Sequence, residues 1–139
     1  MDLENFDEKL KMMWCFKGKM NDLGNNIDLL LTDILDRLNI KAGKLLGKKI
    51  EKLKNKKPLL QKLGMVPNID ELFDKLDKFN KNWIIAKHGT SAWNGQSFNI
   101  HKDGIDHIFD NEKQKEIDRD FFKIMNDLTI IQTGIVKKP

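Results

Sequence analysis

Apolar residues along this chain recur mostly at steps of three and four, the spacing that lines one face of an α-helix. Leu3, Phe6, Leu10, Met13 and Trp14 begin the series, and Ile27, Leu30, Leu31, Ile34, Leu35 and Leu38 continue it. The pattern predicts one helix over Leu3–Asn39, or two nearly collinear helices interrupted near Gly18, since Gly18 and Gly24 weaken a helix without forbidding it. A basic helix is predicted from about Ala42 to Leu53, with Leu45, Leu46, Ile50 and Leu53 turned inward. Lys56-Lys57-Pro58 ends it, because a proline pushes the preceding residue out of the α region. A short helix over Pro58–Leu63 follows, closed by Gly64.

The next helix has the clearest start. Asn68 is placed to cap it, and Glu71, three residues on, stands in capping-box position. Leu72, Phe73, Leu76, Phe79, Trp83 and Ile84 carry its apolar stripe to about Lys87, and Gly89 stops it. From Thr90 to Asp110 the chemistry changes, and small and polar residues around Trp93-Asn94-Gly95 give way to alternation. Phe98-Asn99-Ile100-His101 and Ile105-Asp106-His107-Ile108 alternate around Asp103-Gly104, which predicts a short hairpin. A ribbon of that length needs a bundle to rest on. The last helix is predicted over about Asn111 to Gln132, burying Ile117, Phe121, Ile124, Met125, Leu128 and Ile131. With 139 residues and no linker, repeat or low-complexity stretch, residues 1–139 read as a single all-α domain, an antiparallel bundle with a hairpin or loop insertion before its last helix.

Charge changes this picture locally. The net charge is only +4, but nine lysines between Lys41 and Lys62 face the single acid Glu51, while eight acids in Met1–Asp36 outnumber four lysines. A basic block of this kind attracts phosphate backbones without reading their sequence. It makes Lys44, Lys48, Lys49 and Lys52 candidate RNA contacts, and a solvated helix face is the competing reading. Arg37 and Arg119 are the only arginines and tyrosine is absent, a bias that discounts the lysine count as a functional signal.

Cys15 is the one cysteine, so no internal disulfide can form, and a reducing, cytoplasmic setting is expected. Between Trp14 and Phe16 it reads as a buried core thiol, with a reactive thiol as the alternative. The acidic start Met1-Asp2-Leu3-Glu4 lacks a signal-peptide pattern. No apolar run approaches the roughly 18 residues that span a bilayer, so a soluble chain with no membrane partner is expected.

Three histidines carry the candidate chemistry. His88 ends the stretch Asn80-Lys81-Asn82-Trp83-Ile84-Ile85-Ala86-Lys87 and precedes Gly89. Here the chain resembles the HEPN family, whose signature is a basic residue, normally Arg, often followed by Asn, then an apolar-Ala stretch leading into His-Gly. Lys81-Asn82 and His88-Gly89 stand in those places, and the order of helices is similar through most of the chain, although about ten residues carry the likeness specifically. The resemblance implies a HEPN-like helical bundle of the toxin or antiviral-defence kind. It implies a homodimer whose two motifs form one cleft, with an antitoxin or other regulatory protein as a further partner. It also implies RNA cleavage without a metal or cofactor: His88 as general base and acid on a ribose 2′-OH, Lys81 neutralising the phosphate, and Asn82 orienting the scissile group or His88. Lys81 replaces the family's Arg, which keeps the charge but loses the planar fork that grips phosphate twice. About two helical turns separate Lys81 from His88, so the two leave on nearly one face about 10 Å apart along the axis. One helix thus supplies half a site. The competing reading of His88 is a helix C-terminal histidine favoured by the dipole.

Lys87 and Trp93 complete the candidate RNA contacts, Trp93 as a stacking surface, with a core or interface tryptophan as its alternative. His101 and His107 flank the Asp-Gly turn, where they could share a face or pair across it. No further ligands for a metal are apparent in the sequence. A non-catalytic RNA- or protein-binding module and a small helical inhibitor or adaptor remain as other functions for the same bundle.

Overall fold

The computed structural model describes residues 3–93 and 98–135, and the side chains at 3–6, 9, 92, 93 and 98 lie outside that description. The predicted long helix forms without interruption as α1, Leu3–Arg37. Met13, Phe16, Met20, Ile27, Leu31 and Ile34 line its buried face. That frame corrects two expectations: Trp14 is 61% exposed and Cys15 is exposed, because Met13 and Phe16 take the inward positions and turn the residues between them outward. Gly24 is needed inside the helix, since a Cβ there would overlap the indole ring of Trp83. The helix ends where Asn39 adopts φ 60°. The Ile40 amide then donates to the Leu35 carbonyl at 2.8 Å, closing the last turn in the manner of a left-handed cap.

Helix α2 spans Leu46–Lys54 and starts later than predicted. Leu45 is its extended N-cap, 67% exposed and not inward-facing. Residues 41–45 instead form a loop held by Lys52, whose Nζ donates to the carbonyls of Lys41 at 2.7 Å and Ala42 at 3.1 Å. Leu46, Ile50 and Leu53 face the core as expected, and Lys49 goes with them. Its ammonium donates to Asp28 Oδ1 at 2.7 Å and to Thr32 Oγ1 at 2.9 Å, bolting α2 to α1. Helix α3, Lys57–Leu63, carries Pro58 in its first turn and ends at Gly64 with φ 62°.

Helix α4, Ile69–His88, opens as predicted: Asn68 Oδ1 accepts from the Glu71 amide at 3.1 Å. Helix α5, Asn111–Gly134, opens the same way, with Asp110 accepting from the Lys113 amide at 2.8 Å. Pairings across the bundle fix its direction. Lys17 reaches the Gly89 carbonyl and Gly24 seats Trp83, so α1 and α4 run antiparallel. Lys78 pairs with Glu116 and Lys75 with Asp120, so α4 and α5 do too. Lys19 meets Asp118 and Asp33 meets Gln132, which leaves the first and last long helices parallel in an up-down-up bundle. At its far end Arg37 donates to the carbonyls of Gln132 and Ile135, capping α5.

Between α4 and α5 the chain forms three strands, one more than the predicted hairpin: β1 Thr90–Trp93, β2 Phe98–Lys102 and β3 Ile105–Ile108, in antiparallel order β1-β2-β3. The predicted Asp103-Gly104 turn joins β2 to β3, both residues with positive φ, the geometry that fits a two-residue hairpin. Ile100 is fully buried and seals the sheet onto the end of the bundle. Gly89 allows this, since a Cβ there would overlap Ile100.

Candidate functional site

The last three turns of α4, and α2 with the two residues before it, form the walls of an open groove of about 550 Å³. From α4 come Asp77, Asn80, Trp83, Ile84, Lys87 and His88. From the α2 side come Lys44 to Lys48, with Glu51 and Lys54 further along. The two helices approach closely at Gly47, where a Cβ would lie 3.2 Å from Asn80 Nδ2. The groove therefore collects His88 with three lysines predicted to meet RNA: Lys44, Lys48 and Lys87.

Its electrostatics follow from two helix ends. The N-terminus of α2 has no side-chain cap and no acid in its first turn, so the first amide donors of this helix are left to solvent or a ligand. Such an end favours an anion. The C-terminus of α4 has the opposite polarity and attracts cations, which suits Lys87, His88 and the Lys17 ammonium 3.3 Å from the Gly89 carbonyl. An anion in the groove would thus sit toward α2. Of the lysines there, Lys48 lies 3.5 Å from Glu51 and Lys54 is paired with Asp77. Lys87 lies over the Trp83 ring, 4.7 Å from its centre, within cation–π range.

The remaining predicted residues are dispersed. Lys49 is 4% exposed and bound to Asp28 and Thr32, so it is a structural lysine and not a surface contact. Lys52 is half-buried and committed to two loop carbonyls. Asn82 is 6% exposed, on the core side of α4, because it stands three residues after Phe79 in the buried frame. It does not line the groove. Lys81 is exposed but also lies outside the groove lining. Lys81, Ile84 and His88 instead follow one another at three- and four-residue steps along the outer face of α4, and Ile84, expected to be inward, is 37% exposed there. The Trp93 side chain lies outside the described residues.

On the sheet, the register separates the two other histidines. His101 pairs with Asp106 and its Nδ1 lies 2.8 Å from that carboxylate, whereas His107 pairs with Ile100 on the opposite face. They neither share a face nor pair with each other. Among the described residues, no three His, Cys, Asp or Glu side chains gather into a metal-binding group, and no helix is long and apolar enough to cross a membrane.

Sequence reasoning missed Asn80, Leu45 and the open end of α2 as parts of the groove. Asn80 was hidden beside the more conspicuous Lys81-Asn82 pair, and its signal was the small residue Gly47 opposite, which only the fold brings near. The chain matches no family model, no curated protein and no solved structure.

Proposed function

We propose that this chain is a HEPN-like endoribonuclease of the toxin or defence type, cleaving RNA without a metal at the groove between α2 and α4. The observation that carries the reading is the meeting of His88 with Lys44, Lys48, Lys87 and the uncapped end of α2 in one groove. A phosphodiester drawn to the α2 amides and the lysine rim lies within the same groove as an imidazole suited to proton transfer near neutral pH. His88 takes the proton of the ribose 2′-OH, the freed oxygen attacks the adjacent phosphorus as the bond to the 5′-oxygen breaks, the departing 5′-oxygen takes a proton from water, and His88 returns its own to solvent. The products are a 2′,3′-cyclic phosphate and a 5′-OH. Lys44 and Lys48 offset the charge that builds on the phosphoryl oxygens. Lys81 stands on the outer face of α4, where a second copy of the chain would bring it to the shared cleft.

One observation favours a second reading. Asn82 is buried and Lys81 stands outside the groove, so two of the three motif side chains do not join His88 within one chain. A non-catalytic RNA-binding module would need only the groove and its lysines.

Incubating the purified protein with a mixed RNA pool in EDTA, alongside His88→Ala, separates the two. The nuclease predicts cyclic-phosphate ends from the wild type and at least a hundredfold less product from the variant, in line with the usual worth of a general acid–base group of about 10²–10⁴. RNA retained but uncut by both proteins leaves the binding module. Equal cutting by both places the chemistry elsewhere.

A further inference from the structure

Helices α1 and α5 run side by side in step. Lys19 meets Asp118 and Asp33 meets Gln132, each pair 99 residues apart, so an α5 residue lies level with the α1 residue 99 places before it. Their outer side is left open by the fold. On α1, Lys19, Asp22, Asn26, Leu29, Asp33 and Asp36 follow one another at alternating steps of three and four, the spacing of one helix face, and on α5 Lys115, Asp118 and Phe122 do the same. Leu29 and Phe122 are 69% and 71% exposed, the two most exposed large apolar side chains among the described residues. The charges around them say what covers them. Near the start of α5 the face carries Lys115 and Arg119 beside the Lys19–Asp118 pair, an excess of positive charge. Toward the far end it carries Asp36 beside the Arg37–Asp33 pair, an excess of negative charge. Leu29 and Phe122 lie between these ends, and Asn26 is level with the midpoint between them.

The face is self-complementary about that level. A two-fold axis across the helices at Asn26 turns a second copy over. It brings the copy's Asp36 to the height of Lys115, its Asp33 to that of Lys19, and its Leu29 to that of Phe122. A copy set parallel would instead place the two basic ends at one height. We infer that the outer face of α1 and α5 is a contact between two copies of this chain, docked antiparallel about a two-fold axis at Asn26, so that Leu29 and Phe122 are covered and opposite charges meet at both ends. Neither helix lines the groove, so this contact is separate from the α4 face and does not rest on the RNA reading. Two large apolar side chains from each copy make it a weak contact, populated as protein concentration rises. Together with a second copy at α4 it joins dimers into larger assemblies.

The test is sedimentation of the full chain carrying Ile84→Glu, which sets a carboxylate in the α4 face so that association there does not enter the reading. Dimer should still form as concentration rises, and it should weaken as salt is added. Leu29→Gln or Phe122→Gln should weaken it about tenfold, the scale of a central apolar contact, while the dilute chain keeps its melting temperature because both positions are exposed. Thiol crosslinking locates the axis. Cys15→Ser with Asn26→Cys should oxidise readily to a covalent dimer. Cys15→Ser with Lys115→Cys should not, because the axis holds those two positions about 30 Å apart along the helices. Crosslinking through position 115 and not 26 would overturn the two-fold at Asn26. A dimer indifferent to both glutamine changes would place the association on another face. A chain that stays monomeric up to about 1 mM would overturn the contact outright, while the groove and the α4 reading would stand or fall by their own tests.

Discussion

Lys49 shows how a lysine count misleads at the scale of a single residue. It sits among nine lysines of one basic block, but it lies three residues after Leu46 and four before Leu53, within the buried frame of α2. That spacing was legible in the sequence; what was not legible was Asp28, twenty-one residues earlier, waiting to neutralise it. Burial of the ammonium is tolerable because Asp28 Oδ1 and Thr32 Oγ1 both accept from it, and Thr32 in turn donates to the Asp28 carbonyl at 2.8 Å. The two ends of this pair are unequal, since the Lys49 side chain is almost sealed while that of Asp28 keeps nearly a third of its surface in water. Asp28→Ala leaves an unpaired buried cation and should destabilise the fold by roughly 3 kcal/mol, whereas Lys49→Met should cost about 1 kcal/mol or less. Chemical denaturation of both variants checks the order. A larger loss from Lys49→Met would mean that the ammonium makes more than these contacts, and a loss of RNA affinity with unchanged stability would return it to the surface set.

At the scale of elements, helices were read well where local chemistry decides them, and poorly where a distant partner does. The Asn68 cap, the Gly64 stop and the Asp103-Gly104 turn need only neighbours in sequence, and all three form. The Ala42–Leu45 segment was expected to be helical, yet Lys52 ties the carbonyls of Lys41 and Ala42 into a loop, and the core has no place for Leu45 once Leu46 is seated. Strand β1 was overlooked because Thr90 to Trp93 does not alternate, and its pairing with β2 is long-range information. The direction of the bundle is likewise written in pairs of charges. Lys78 and Glu116 join α4 to α5, and their hydrogen bond is the main cause holding the Lys78 ammonium above its ordinary pKa and the Glu116 carboxyl below its own. A lowered carboxyl pKa contributes stability above the ordinary carboxylate range and loses it as pH falls through the depressed value. A raised lysine pKa contributes at lower pH and loses it as pH climbs through the raised value. The bridge is therefore whole across the neutral range and fails at both extremes. Glu116→Gln should melt slightly lower than wild type at pH 7 and indistinguishably from it near pH 2, with the difference at pH 7 shrinking in high salt. A gap that persists in acid would assign the effect to packing.

For the whole molecule, the decisive surface is the outer face of α4. Its inner face is fully used: Phe79, Asn82, Ile85 and Ala86 are buried against the bundle. The outer stripe of Lys81, Ile84 and His88 is left uncovered, and an apolar residue between a lysine and a histidine there suits contact with a second copy. In the proposed homodimer a two-fold axis near Ile84 would set the two stripes against each other, supplying from the partner the Lys81 that one chain does not bring into its own groove. Ile84→Glu tests this without endangering the monomer, because a carboxylate three residues after Lys81 and four before His88 is compatible with both neighbours on an exposed helix face. Across a two-fold axis the same change sets like charges face to face in place of an apolar contact. Sedimentation should show the wild type as a dimer and Ile84→Glu with dimer affinity weakened at least tenfold, while the melting temperature of the dilute monomer stays unchanged. A wild type that cuts RNA while sedimenting as a monomer would show that one groove suffices, and would leave His88 and the lysine rim to carry the chemistry alone.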